Sequence, residues 1–258
     1  MSTTMSPIRR PTVYPESDGK LMAENTRQFD FITLIKGGLD IVFAAREDVF
    51  VAGDLLWYPE EGNNQLCAAP DAMVVFGRPK GVRSSYLQWL EDNIPPQVVF
   101  EVLSPSNFQP EMVLKRDFYS RHGVEEYFVY DPDRGLLSGY VRGPSGLELL
   151  PDAGGLTSSL LGVRMQLNGN DLELFGPDGR PFLNTIELDE AARLAEQRAD
   201  IERKLAESER QRAEVQQQRA EVQQQRAEVQ QQRADNERER AERLAARLRE
   251  LGIDPSAL

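Results

Sequence analysis

The alternation of apolar and polar positions divides the chain into a head with a buildable core and a tail without one. Between Glu24 and Ala45, Phe29, Ile32, Leu34, Ile35, Leu39, Ile41, Val42 and Phe43 recur at roughly helical spacing. The Gly37-Gly38 pair argues against an unbroken helix there. Residues 49–57 (VFVAGDLLW) predict one strand with Asp54 set into it, and residues 59–69 predict a polar loop. Asp71 to Phe76 reads as the next strand, and Ser84 to Leu90 as a short helix carrying Tyr86 and Trp89.

Residues 95–131 predict strand, loop, helix, strand. The apolar run Val98 to Leu103 is interrupted by one carboxylate, Glu101, and Ser104-Pro105-Ser106-Asn107 breaks the strand. From Glu111 to Arg121, Met112, Val113, Leu114 and Phe118 alternate with Lys115, Arg116 and Arg121, as on a helix packed against a sheet. Gly123 is placed as a C-cap glycine, and Glu126 to Asp131 reads as a second buried strand. Four short strands follow, residues 136–142, 147–150, 163–167 and 172–175, and are expected to extend the sheet in antiparallel fashion. The fold class is therefore α/β or α+β, a mixed sheet flanked by helices.

From about Glu187, glycine and aromatic residues vanish and Arg, Ala, Glu and Gln take over. Three copies of RAEVQQQ run from Arg212 to Gln232. These are strong helix formers, so a helix of about 60 residues, roughly 90 Å long, is expected. With Val215, Val222 and Val229 at heptad position a, Gln218, Gln225 and Gln232 fall at d, a poor seam. Better seams lie at the ends: Leu194, Ile201 and Leu205 early, then Ala241, Leu244, Leu248 and Leu251 in a shifted register. A dimerising coiled coil and a solvated single helix both stand open, and Gly252-Ile253-Asp254-Pro255 stops the helix in either case. The organisation expected is a disordered segment over residues 1–20, a folded domain over 21–186 and a long charged helix over 187–258.

Charge sharpens this division. Residues 1–190 carry 16 Lys and Arg against 28 Asp and Glu, whereas residues 191–258 carry 14 of each. An acidic head counts against strong non-specific binding of nucleic acid, which depends on neutralising phosphates. No apolar stretch approaches the length of a membrane span. The first twenty residues hold no apolar signal region, and Cys67 stands alone, so a reducing cytoplasm is the expected location. His122 is also alone, which excludes a histidine-rich metal site.

The carboxylate inside VVFEVL needs an explanation, because a buried charge costs several kcal/mol unless it is paired or binds metal. Asp71 opens the strand thirty residues earlier, and Lys115 lies on the helix after Glu101. Two carboxylates on adjacent strands can share a divalent cation, and hard oxygen ligands suit magnesium or manganese. A nearby ammonium can orient water or steady a developing oxyanion. Together these are a minimum set for metal-dependent phosphodiester hydrolysis. Each residue also has a plainer reading: a strand-start residue for Asp71, a buried ion pair with Arg116 or Lys115 for Glu101, a solvated helix face for Lys115. Trp57 and Trp89 read as core rather than as a base-stacking platform, and His122 as a helix C-terminal cap.

APDAMVVFGRPKG, PPQVVFEVLSPSN and K-x3-Y-x3-GVEEYFVYDPDRG together resemble the Uma-two family of restriction-endonuclease-like proteins, within the PD-(D/E)XK nuclease superfamily. The likeness runs from about Lys20 to Asp189. It implies the αβββαβ core of restriction endonucleases, magnesium or manganese as cofactor, and DNA as substrate. It places Asp71 at the PD aspartate and Glu101 at the (D/E) position, both as metal ligands and catalytic groups. The superfamily lysine would fall at residue 103, where Leu103 stands, and Lys115 is the implied substitute. Glu24, Asp54 and Tyr119 are second-tier candidates: an extra metal-binding acid, a further member of the acid cluster, and a residue one helical turn from Lys115 that could orient it. A homodimer through the C-terminal helix is the partner reading. A non-catalytic scaffold, using a nuclease-like fold with the helix as its working part, is the competing class.

Overall fold

Runs of β-branched and aromatic residues build a six-stranded mixed sheet at the centre of the head. The computed structural model describes residues 12–17, 19, 23–106, 109–151 and 155–250, and the chain forms two units, Met1–Leu188 and Asp189–Leu258. The sheet comprises β1 (Val49–Ala52), β3 (Ala72–Phe76), β5 (Val98–Val102), β6 (Glu126–Asp131), β7 (Leu136–Gly143) and β8 (Gly146–Leu149), in the order β1-β3-β5-β6-β7-β8. All neighbours are antiparallel except β5 and β6, which run parallel across the crossover helix α2 (Gln109–Arg121). A mixed α/β fold with a long C-terminal helix is thus what the residue pattern called for.

Period-two alternation divides the core between the two faces of the sheet. Val98, Phe100 and Val102 face one side with Ala72, Val74 and the buried stripe of helix α1 (Thr26–Val42), namely Ile32, Ile35 and Leu39. Burying each of those three side chains contributes roughly 1.5–3 kcal/mol. Met73, Val75, Val99 and Tyr127 face the other side, against Met112, Phe118 and Tyr119 of α2. Asn25 caps α1, its side chain accepting from the Gln28 N–H at 2.8 Å. Gly123 follows α2 at φ +97, a left-handed conformation that favours glycine.

Several elements differ from the expectation. Helix α1 passes unbroken through Gly37 and Gly38, because the absence of a side chain at Gly38 admits the Phe182 ring, into which any Cβ there would collide. The strand expected over residues 49–57 stops at Ala52: Asp54 adopts φ +47, and Trp57–Tyr58 (β2) pairs in parallel with Tyr86–Leu87 (β4) as a separate two-stranded sheet. The short helix expected over 84–90 is therefore β4 followed by a single 3-10 turn, Gln88–Leu90. Of the four late strands, only β7 and β8 extend the main sheet. Strands β10 (Arg164–Asn168) and β11 (Asp171–Phe175) join β9 (Leu156–Thr157) in a sheet of their own.

Of the segment expected to be disordered, only residues 12–17 and 19 are described. Tyr14 packs edge-on against Tyr58, and Tyr58 donates to the Pro15 carbonyl at 2.9 Å. Helix α3 (Thr185–Glu250) runs 66 residues, beginning at the end of the first unit and making up most of the second. The stop at residues 252–255 lies outside the described residues. Among the described residues no helix is long and apolar enough to cross a membrane.

Candidate active site

Two strand ends and one helix converge on Glu101. Antiparallel register pairs Ala72 of β3 with Phe100 of β5. One residue further, past the end of β3, the same register sets Asp71 opposite Glu101. Opposed residues of an antiparallel pair share a face of the sheet, with Cβ atoms about 4.5–5.5 Å apart. Asp71 Oδ2 then accepts from the Val102 N–H at 2.6 Å, which ties it to the residue after Glu101. Both acids are deep in the protein, Asp71 at 9% and Glu101 at 3% exposure.

Helix α2 lays its inner face over this pair. Lys115 donates from Nζ to Glu101 Oε2 at 2.7 Å, and Tyr119 donates its hydroxyl to Glu101 Oε1 at 2.6 Å. Residues four apart on a helix share a face, so one helix serves both oxygens. Trp57 stacks parallel to the Tyr119 ring at 6.3 Å and is itself fully buried, a core residue as expected. Trp89 is half-buried against Tyr14. His122 packs between Phe118 and Trp57 just beyond the end of α2, and burial lowers its pKa.

The electrostatics separate these groups. Burial, and next the Glu101 charge, push the Asp71 carboxyl well above the usual carboxylate range, against the Val102 N–H and the Lys115 charge. For Lys115, burial pulls downward, but the charge and hydrogen bond of Glu101 outweigh it and raise the ammonium pKa. Burial and the Glu101 charge likewise hold the Tyr119 phenol well above its ordinary value. Lys115 and Tyr119 therefore both keep their protons at neutral pH and act as hydrogen-bond donors to Glu101, and Asp71 is the strained acid.

The other candidates are distributed around this centre. Asp54 lies on the loop before β2, its N–H donating to the Pro70 carbonyl at 3.0 Å, and its charge contributes the smallest share of the upward push on Asp71. Glu24 is elsewhere engaged: Ser104 donates to its Oε2 at 2.7 Å and Ser106 to its Oε1, and these bonds lower its pKa.

Two residues escaped the sequence. Gln28 is buried, donates from Nε2 to the Val102 carbonyl at 2.8 Å, and accepts from the Glu24 N–H at 2.9 Å. The signal for it was there: Gln28, Ile32, Ile35 and Leu39 form one helical stripe in which a lone amide is out of place. Tyr127, opposite Val99 in β6, has a buried hydroxyl with no hydrogen-bond partner among the described residues, and burial followed by the Glu101 charge raises its pKa. It borders a cavity of about 230 Å³ between α2 and strands β6 and β7, where Arg116 and Arg134 supply the cations.

Glu126 shows what a purely structural strand carboxylate looks like. Ser158 donates to its Oε2, and the N–H groups of Ser159 and Leu160 to its Oε1 at 2.8 and 3.2 Å, so β6 is tied to the loop after β9. The Asp71–Glu101 pair differs: the two carboxyl groups face each other in a buried place, and the one ammonium there, Lys115, bonds to Glu101. That donor set fits a divalent cation. Among the described residues no three or more His, Cys, Asp or Glu side chains gather closely enough to hold an ion by themselves. Two carboxylates alone, which leave the rest of a coordination shell to water, suit magnesium or manganese better than a zinc or calcium cage built wholly of side chains.

A family model described as "Putative restriction endonuclease", Uma2, matches residues 18–168, a span that holds every candidate named above. Among solved structures, a "putative nuclease belonging to DUF820" from Anabaena variabilis is similar at 15% identity and a TM-score of 0.40, over 52% of this chain and 72% of that one. Nothing among curated proteins matches.

Proposed function

The chain belongs to the Uma2 family, described as "Putative restriction endonuclease", and from that membership we propose a cytoplasmic, magnesium- or manganese-dependent endonuclease that hydrolyses DNA phosphodiester bonds. The observation that carries the reading is the facing pair Asp71 and Glu101 with Lys115 bonded to Glu101. A divalent cation held by the two carboxylates would polarise a phosphodiester oxygen and the attacking water. Glu101, fixed by Lys115 and Tyr119, presents its carboxylate in one orientation. Asp71, whose proton is held unusually tightly, is the group that gives up a proton when positive charge arrives. Lys115 stays protonated and so serves as a charge donor to a phosphate oxygen, not as the base that deprotonates water. Arg116 and Arg134, which line the neighbouring cavity that Tyr127 borders, offer contacts to phosphate.

The scaffold reading draws on one observation, the excess of 28 acids over 16 bases in residues 1–190. A plasmid-relaxation assay separates the two. The nuclease reading expects supercoiled DNA to be nicked by wild type with magnesium or manganese, and nicking to vanish in Glu101→Gln. Wild type that binds a divalent ion yet leaves every DNA form intact would favour the scaffold.

A further inference from the structure

We propose that α3 pairs with a second copy of itself as a parallel, in-register, two-stranded coiled coil over about residues 207–240. Nothing in the head enters the reasoning, so it stands or falls separately from the nuclease reading.

The starting point is an exposed valine stripe. Val215, Val222 and Val229 recur every seven residues along one uninterrupted helix, and each is nearly half exposed. With these at position a, Glu214, Glu221 and Glu228 occupy g, and Arg219, Arg226 and Arg233 occupy e. The same assignment continues outward, Glu207 and Arg212 before the repeat, Asp235 and Arg240 after it.

The spacing of these charges decides between a solvated helix and a pair. On one helix, acid and base attract when three or four residues apart. Inside the repeat each g acid lies five residues before the next e arginine, and each e arginine two residues before the next g acid. Neither spacing brings them together on their own helix. Glu221 and Glu228 accept instead from the Gln217 and Gln224 amides at 3.2 and 3.1 Å. At its margins the chain does use the helical spacing: Arg210, ahead of the repeat, pairs with its first g acid Glu214, and beyond the repeat Arg238–Glu242 and Arg243–Glu239 form ion pairs. The repeat thus holds acids and bases at the separation that two parallel helices require, where g of one strand meets the following e of the other.

The same pattern fixes orientation. In parallel strands every flanking contact joins Glu or Asp to Arg. In antiparallel strands g would face g and e would face e, acid on acid and arginine on arginine. Register is the remaining freedom, because three identical heptads allow a slip of seven residues. Asn236 is the next a position after Val229, and a polar residue at a prefers its own counterpart. Glutamines at d weaken the seam, so the pair is held by the valines and their charged flanks and its population depends on concentration.

Disulfide trapping in the full chain tests this, with Cys67→Ser as background. Val215→Cys and Val229→Cys, each alone, are expected to form disulfide-linked dimers on mild oxidation. If they cross-link only when mixed with each other, the strands are antiparallel. If Val215→Cys links only to Val222→Cys, the register has slipped. Either result overturns the proposal, as does a mass by light scattering that stays at the 29.1 kDa of one chain. Replacing Arg219, Arg226 and Arg233 with Glu should weaken the dimer about tenfold or more. Replacing Glu214, Glu221 and Glu228 with Arg should do the same, and mixing the two variants should restore pairing. A dimer indifferent to both charge reversals would also overturn it.

Discussion

Tyr119 donates its hydroxyl to Glu101 Oε1 at 2.6 Å from a fully buried position, while its neighbour Tyr127 buries a hydroxyl that finds no hydrogen-bond partner among the described residues. The two phenols pack at 5.1 Å between ring centroids, yet they contribute in opposite senses. A hydrogen bond to a buried charge is worth about 1.5–3 kcal/mol, whereas an unmade one is a cost. Tyr119→Phe is therefore expected to destabilise the head by roughly 1.5–3 kcal/mol in urea unfolding. Tyr127→Phe should be neutral or stabilising. Equal losses in both variants would mean that the Glu101 bond carries no special weight.

Asp71 predicts a pH dependence whose sign can be worked out. Its folded pKa is raised, so the folded state holds this proton more tightly than the unfolded chain, whose value is about 3.9. The contribution is fully present below about pH 3.9 and is lost as pH climbs through the folded value. Asp71→Asn removes that liability. In chelator it should melt higher than wild type at pH 7, by roughly 2–4 °C for each kcal/mol relieved, and the gap should close as pH falls toward 4. A variant that melts lower at pH 7 would contradict the strained-acid account.

Gln28 ties α1 to the strand end that carries Glu101, through the Val102 carbonyl. Gln28→Leu keeps the apolar stripe but leaves that carbonyl without its partner. The expected cost is about 1–3 kcal/mol, read in urea unfolding. An unchanged midpoint would show that the amide is incidental.

Adjacent glycines in α1 should respond oppositely to alanine. A Cβ at Gly37 meets open space, so Gly37→Ala should gain up to about 1 kcal/mol from helix propensity. A Cβ at Gly38 meets the Phe182 ring, so Gly38→Ala should lose about 1–3 kcal/mol through overpacking. Thermal melts of the two variants settle the contrast.

Local pattern carried most of the site. β5, α2 and β6 form where apolar periodicity puts them, and Glu101 was visible because a charge interrupts an apolar strand. Lys115 and Tyr119 were visible because a four-residue step keeps them on one helix face. What local pattern could not carry depends on distant partners. Asp54 ends a strand that apolar content alone would extend, because its left-handed backbone turns the chain away. β10 and β11 have ordinary strand alternation, and alternation does not say which sheet a strand joins. Helix α1 survives its glycine pair because Phe182, far along the chain, occupies the space at Gly38. Gln28 takes its role from a strand carbonyl 74 positions away, a partner that no local pattern reveals.

Calorimetric titration of manganese into wild type and Glu101→Gln tests the carboxylate pair most directly. The account predicts that wild type binds a divalent ion and releases protons as Asp71 ionises, so affinity rises with pH, and that the variant loses this binding. No binding by wild type, or equal binding by the variant, would contradict it.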